Sequence, residues 1–227
     1  MALWLPLILA VLGAVVSMRF SVWRTQKMLD ARSRPLRDPA LERLTARMAA
    51  ALDIPEIRVN IFDVEPVNGL AAPDGRIFLT TGFLKKYRQG LVTDEEMASV
   101  IAHELGHVSM GHARRRMIDV TGQNAVFFLL TAFLARFVPI IGVWIANMVS
   151  TAVMARLSRR DEFEADAYAS ALLIKSGIGT APQKSLFRKL GALTQSRTEG
   201  IPAWLLSHPA AEERISAIEA NEARWLG

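Results

Sequence analysis

His103 and His107 stand four residues apart in the stretch "VIAHELGHVSMGH". On an α-helix, positions i and i+4 are neighbours on one face, so the two imidazoles project side by side and can grip one ion. "TDEE", Thr93 to Glu96, lies just upstream and has the form of a capping box, opening a helix with acidic residues at its positive end. Two imidazoles do not complete a metal site. A further group must come from another segment, and whatever lies between must return the chain to the same place. That requirement constrains the fold more than any other feature of the sequence.

The chain has 227 residues and no cysteine, so any metal is held by His, Asp or Glu. The segment "RDEFEADAYASALLIKSG" reads as a helix and offers Asp161, Glu162, Glu164 and Asp166. Glu162 and Asp166 share a face, which lets them divide the work. Glu162 binds the metal, and Asp166 accepts a hydrogen bond from a ligand histidine and fixes its tautomer. Glu164 lies two residues from Glu162, points away from it and is read as solvated. Asp161 is read as solvated or paired with an arginine. His112 is nine residues after His103, about half a turn out of phase on a 3.6-residue helix. It is read as a helix-end or supporting residue rather than a ligand. H-E-x-x-H on a helix is a zinc-protease signature, with Glu104 one step round the helix to poise a water. The metzincin extension is missing, since it needs Gly at 110 and His at 113, where this chain has Met110 and Ala113.

The rest of the chain reads as a mostly helical α+β fold. Pro39 to Leu52 is an amphipathic helix with Leu41, Leu44, Met48 and Leu52 on one side. "IRVNIFDV" alternates as a strand does, and Arg76 to Thr80 follows the Pro73-Asp74-Gly75 turn signal as a second strand of a small sheet. Two apolar runs suggest membrane segments. Ala2 to Met18 carries no charge and has Arg19, Arg24, Lys27, Arg32, Arg34 and Arg37 behind it, the charge order of an uncleaved anchor with its basic side in the cytoplasm. Ala125 to Ala155, broken by Arg136 and Pro139, has arginines at both ends and reads as a hairpin. An even number of crossings also keeps His103 and Glu162 on one side. The net charge of +5 is concentrated at these flanks, which argues against a nucleic-acid surface. The expected layout is an anchor at 1–18, a basic linker at 19–38, and a metalloprotease domain at 39–227 interrupted by a membrane hairpin at about 118–157.

Four segments, "NGLAAPDGRIFLTTGFL", "DEEMASVIAHELGHVSMGH", "SRRDEFEADAYA" and "SHPAAEERI", together resemble the HtpX-type membrane zinc metallopeptidases, relatives of the CAAX prenyl endopeptidases. They occur in family order across most of Asn68 to Ile215. The resemblance implies a zincin-like domain with one zinc ion per chain, His103, His107 and Glu162 as ligands, and Glu104 as catalytic base. It implies Asp166 as the partner of a ligand histidine and His208 of "SHP" as a catalytic neighbour of the zinc. It also implies that Asn68, Gly69, Leu70, Ala71 and Ala72 form an edge strand that pairs with extended substrate. The sequence departs from the family pattern in having one apolar run, not two, before the histidine motif.

The expected function is a membrane-anchored zinc metalloendopeptidase acting on misfolded or membrane proteins. Its partners are polypeptide substrates and membrane lipid, and its site is a bacterial inner membrane with the catalytic domain in the cytoplasm. The competing readings are a non-catalytic zinc-binding membrane scaffold, which has no use for Glu104, and a prenyl-protein processing protease, which is expected to enclose its site in many more spans.

Overall fold

The computed structural model describes residues 4–72, 74–112, 115, 139–194 and 210–226. It divides into two compact units, Met1–Arg32 with Arg114–Arg156, and Ser33–Ala113 with Leu157–Gly227. The first contains helix α1 (Trp4–Ala31) and the beginning of a long helix, α5 (Pro139–Lys175), whose remainder belongs to the second.

The expected transmembrane anchor and membrane hairpin are corrected here. Among the described residues, no helix is long and apolar enough to cross a membrane. Helix α1 runs on past its apolar part through Arg19, Arg24 and Lys27, and α5 through Arg156, Arg159 and Arg160, so charge lies within both described helices. The expected bend near Arg136 falls within 116–138, outside the described residues. With these segments go the multi-pass topology, the inner-membrane and cytoplasmic placement, and membrane lipid as a partner. The fold class becomes a mostly helical zincin-like fold with a small mixed sheet.

The second unit builds that fold. Strands β1 (Ser33–Pro35), β2 (Val59–Phe62), β3 (Gly69–Ala71) and β4 (Ile77–Thr80) form one sheet in the order β1-β2-β4-β3. β2 and β4 are parallel, Val59 opposite Ile77, while β1 and β3 flank them antiparallel. Among the described residues β3 is therefore an edge strand. The turn before β4 is stabilised as the sequence suggests. Gly75 takes a left-handed φ of 86°, and the Arg76 N–H donates to Asp74 Oδ1.

Helix α2 (Pro39–Ala51) starts at Asp38, whose carboxylate accepts the N–H groups of Ala40 and Leu41, and buries Leu41, Leu44 and Met48. Helix α3 (Thr81–Arg88) starts at Thr80. The Thr80 hydroxyl accepts from Phe83 N–H and also from Asn68 N–H, so one side chain caps α3 and fixes the entry to β3. Gly82 permits a close crossing, since a Cβ there would stand 1.7 Å from the Glu65 carbonyl oxygen.

Helix α4 (Asp94–Ser109) carries the histidine motif and packs Met97, Ile101 and Leu105 into the core. Helices α6 (Ala181–Thr194) and α7 (Ala211–Leu226) complete it with Leu186, Phe187, Leu190, Ile215 and Ile218.

The capping box of α4 is present as predicted, Thr93 Oγ1 accepting from Glu96 N–H and Glu96 Oε2 from Thr93 N–H. Glu96 does more than cap. It also accepts from Ser185 Oγ at 2.6 Å and Lys189 Nζ at 2.9 Å, tying α4 to α6. Burial raises the Glu96 pKa, but the lysine and the three donated hydrogen bonds outweigh it and hold the carboxyl below its ordinary range. A depressed carboxylate stabilises the fold above its unfolded pKa and loses that contribution as pH falls through the folded value. Glu96→Gln is therefore expected to cost about 1–2 kcal/mol at pH 7. The gap from wild type should close as thermal melts are taken below the ordinary glutamate range, and a constant gap at all pH values would disprove the charge's role.

Candidate active site

Two helices deliver the candidate metal ligands. His103 and His107 come from α4, one turn apart, and Glu162 comes from α5. The helices can meet because small residues face each other at the contact. A Cβ built on Gly106 would stand 3.0 Å from both the Cα and the carbonyl oxygen of Ala165. The glycine inside "HELGH" and the alanine inside "EADA" thus set how closely the two ligand-bearing helices approach.

The two Nε2 atoms of His103 and His107 lie 3.1 Å apart. Glu162 places Oε2 3.4 Å from His103 Nε2 and Oε1 3.5 Å from His107 Nε2. With metal–ligand bonds of about 2.0–2.1 Å, neighbouring ligand atoms of a tetrahedral zinc site are about 3.3–3.4 Å apart. The spacings between the two imidazoles and the nearer carboxylate oxygen of each are of that order. The local charge agrees. Glu104, Glu162 and Asp166 are all buried, with Arg214 as the buried cation among them. Three buried carboxyl groups gathered around one guanidinium make a setting that suits a cation. Burial disfavours protonation of His103, yet Asp166 and Glu162 outweigh it and raise its pKa to about 9. This is a place built for positive charge, and the donor set fits zinc.

Asp166 sits where the i+4 spacing places it. Its Oδ1 is 2.9 Å from His103 Nδ1. Arg214, from α7, forks onto it with Nε at 2.6 Å from Oδ2 and Nη2 at 2.6 Å from Oδ1. The guanidinium stacks 4.1 Å over the Phe187 ring and is 2% exposed. Burial would raise the Asp166 pKa, but the Arg214 charge and its hydrogen bonds hold it low. The sequence alone leaves Arg214 open between an anchor and a surface charge. Its burial comes from α7 folding back against α4 and α6.

Glu164 differs from the expectation of a solvated charge. Asp161 is buried, and Glu164 is half-buried between Arg160 and His112. Among the described residues, His112, Asp161 and Glu164 form a second group whose ligand atoms lie close enough to hold a metal, beside the group of His103, His107 and Glu162. His208 lies outside the described residues.

Strand β3 runs beside Glu104. A Cβ on Gly69 would approach Glu104 Oε1 to 2.8 Å and Val100 Cγ1 to 2.9 Å, so a larger residue at 69 would displace these side chains. A cavity of about 50 Å³ opens at the same place, with Val67, Phe83, Val100, Leu186 and Phe187 among its walls and Glu104 and His103 at its edge.

The sequence pattern of Peptidase family M48 matches residues 35–222, most of the chain and all of these site residues. The chain belongs to peptidase family M48. The resemblance read from the four ordered segments is thereby borne out. Among M48 relatives, Metalloprotease LoiP of Escherichia coli (strain K12) is 30% identical over 162 residues, 71% of this chain and 61% of its own length. Metalloprotease YcaL of the same organism is 27% identical with the same coverage. A Protease HtpX homolog of Variovorax paradoxus (strain S110) is 27% identical over 252 residues, 92% of this chain and 81% of its own. The chain thus spans about three fifths of the length of LoiP and YcaL. The crystal structure of S. mikatae Ste24p superposes with a TM-score of 0.57 at 21% identity, covering 93% of this chain and 56% of that one, a likeness of fold.

Proposed function

We propose that this M48 chain is a zinc metalloendopeptidase that cleaves polypeptides, binding one zinc ion through His103, His107 and Glu162. The observation that carries this reading is the convergence of the two Nε2 atoms, 3.1 Å apart, with a Glu162 oxygen 3.4–3.5 Å from each, beside a buried glutamate and an edge strand. Zinc held there supplies Lewis acidity, acidifying a water and drawing charge from a peptide carbonyl.

The protein's own groups do the remaining work. Glu104 accepts the water's proton as the new C–O bond forms. It returns the proton to the amine nitrogen as the C–N bond breaks. Asp166 holds the His103 proton on Nδ1, leaving Nε2 to face the metal position. Asn68, Gly69, Leu70, Ala71 and Ala72 offer main-chain groups to a substrate strand laid along the open side of β3, which gives affinity with little demand on sequence. The apolar cavity beside Glu104 receives a small apolar side chain of that substrate.

The test is zinc content together with casein cleavage by the purified chain. Bound zinc at one per chain, with cleavage lost to a chelator and restored by zinc, supports the reading. Glu162→Ala is expected to lose both zinc and cleavage. Absence of zinc binding or of cleavage in the wild-type chain would overturn it.

A further inference from the structure

The ring protons of the two ligand histidines impose a condition that the ligand triangle alone does not express. For both Nε2 atoms to present lone pairs, each neutral imidazole must carry its one proton on Nδ1. His103 meets this condition through Asp166. In His107 the corresponding nitrogen, Nδ1, lies 2.8 Å from Nδ1 of His112.

Two ring nitrogens at that distance share one proton. If the proton were on His112, His107 would carry its own on Nε2, pointing at His103 Nε2 and blocking a cation. If it is on His107, the His112 Nδ1 is the acceptor and the His112 proton sits on Nε2. That nitrogen is 3.2 Å from Glu164 Oε2 and 3.8 Å from Asp161 Oδ1. Every donor then has an acceptor. Glu164 is itself held by Arg160, whose Nε donates to Oε1 at 2.8 Å.

We propose that His112, backed by Glu164 and Asp161, is the positioning residue for His107, setting its tautomer as Asp166 sets that of His103. This rests on the zinc reading above. It also assigns the second cluster a role without a metal, because the His112 Nε2 lone pair is replaced by a proton. The backbone explains how His112 reaches this place despite its helical phase. Helix α4 ends at Ser109, and Gly111 turns through a left-handed φ of 66°, swinging His112 back against His107, where it is 1% exposed.

The experiment uses the full chain and two readouts. Long-range ¹H–¹⁵N NMR on metal-stripped protein reports the tautomers directly, and His107 protonated on Nδ1 with His112 protonated on Nε2 is expected. The reverse arrangement would overturn the proposal whether or not zinc binds. Chelator competition then gives zinc affinity for wild type and variants. His112→Leu is expected to weaken zinc about 10- to 100-fold. His112→Asn, whose amide oxygen can stand in for the Nδ1 acceptor, is expected to recover most of that loss. Glu164→Ala should weaken zinc several-fold, and stays informative if His112→Leu fails to fold. Wild-type affinity in both His112→Leu and Glu164→Ala, no recovery in His112→Asn, or two zinc ions per chain would overturn the proposal. A wild-type chain that binds no zinc would instead remove the ligand reading and leave the tautomer result to stand or fall alone.

Discussion

Glu104→Gln is expected to retain its zinc and lose casein cleavage by about a hundred- to ten-thousand-fold. The amide is nearly isosteric with the carboxylate, and Glu104 is not one of the three groups whose ligand atoms converge. The metal position should therefore be undisturbed. What the variant lacks is a site that can take a proton and give it back. The glutamine amide is barely basic, so neither the attacking water nor the departing amine is served. Gly69 keeps the strand backbone against residue 104 in both proteins, so substrate binding should change little. The loss is expected in kcat, with KM nearly constant. Cleavage rates and zinc content measured on the same preparations decide the matter. A variant that cleaves at the wild-type rate would remove Glu104 from the mechanism. A variant that loses zinc as well would make it a structural support of the site.

Arg214→Ala should be the most destabilising substitution near the site. Both members of the Arg214–Asp166 pair are buried, and the guanidinium meets both carboxylate oxygens. Removing the cation leaves Asp166 charged in a low-dielectric setting without its main partner. Breaking a buried pair in this way costs about 3–5 kcal/mol. For a domain of this size that is a fall in Tm of roughly 10 °C. Part of the loss is the packing of the guanidinium on Phe187. Arg214→Lys should fall between, since an ammonium supplies charge but not the fork.

The pH dependence has a definite sign. Asp166 is held below its ordinary value, so its contribution is present above that range and lost as pH falls through the folded pKa. The deficit of Arg214→Ala should accordingly shrink in acid. Thermal melts of metal-stripped protein across pH test both statements. An unchanged Tm at pH 7 would show that the pair contributes nothing net.

Much of the site was legible because short-range helical geometry is legible. The pairing of His103 with His107, and of Glu162 with Asp166, follows from one-turn spacing, and the Thr93–Glu96 box follows from capping chemistry. Phase counting set His112 apart from the ligand pair as a helix-end or supporting residue, but it could not supply the turn at Gly111 that brings His112 against His107. Glu164 does point away from Glu162, but that direction leads to His112 and Arg160 rather than to water. The alternation in Val59–Phe62 identified a strand without revealing that its neighbour β4 is parallel, since pairing depends on the path through β3. The apolar runs were bounded at Arg19 and Arg156 in the sequence, whereas helices α1 and α5 run on through those residues. Arg214 was ambiguous because burial of a long cation depends on a partner 48 residues away.

The contact between Gly106 and Ala165 makes the backbone a gauge block for the metal position. Side chains have rotamers and absorb small errors in packing, whereas main-chain atoms at 3.0 Å from a would-be methyl group do not. Glu162 lies three residues before Ala165 and Asp166 one after it, while His103 and His107 bracket Gly106. The four groups that define the site therefore inherit their separation from the thickness of two bare polypeptide chains. Even a methyl group at residue 106 would require the two helices to yield by a few tenths of an ångström.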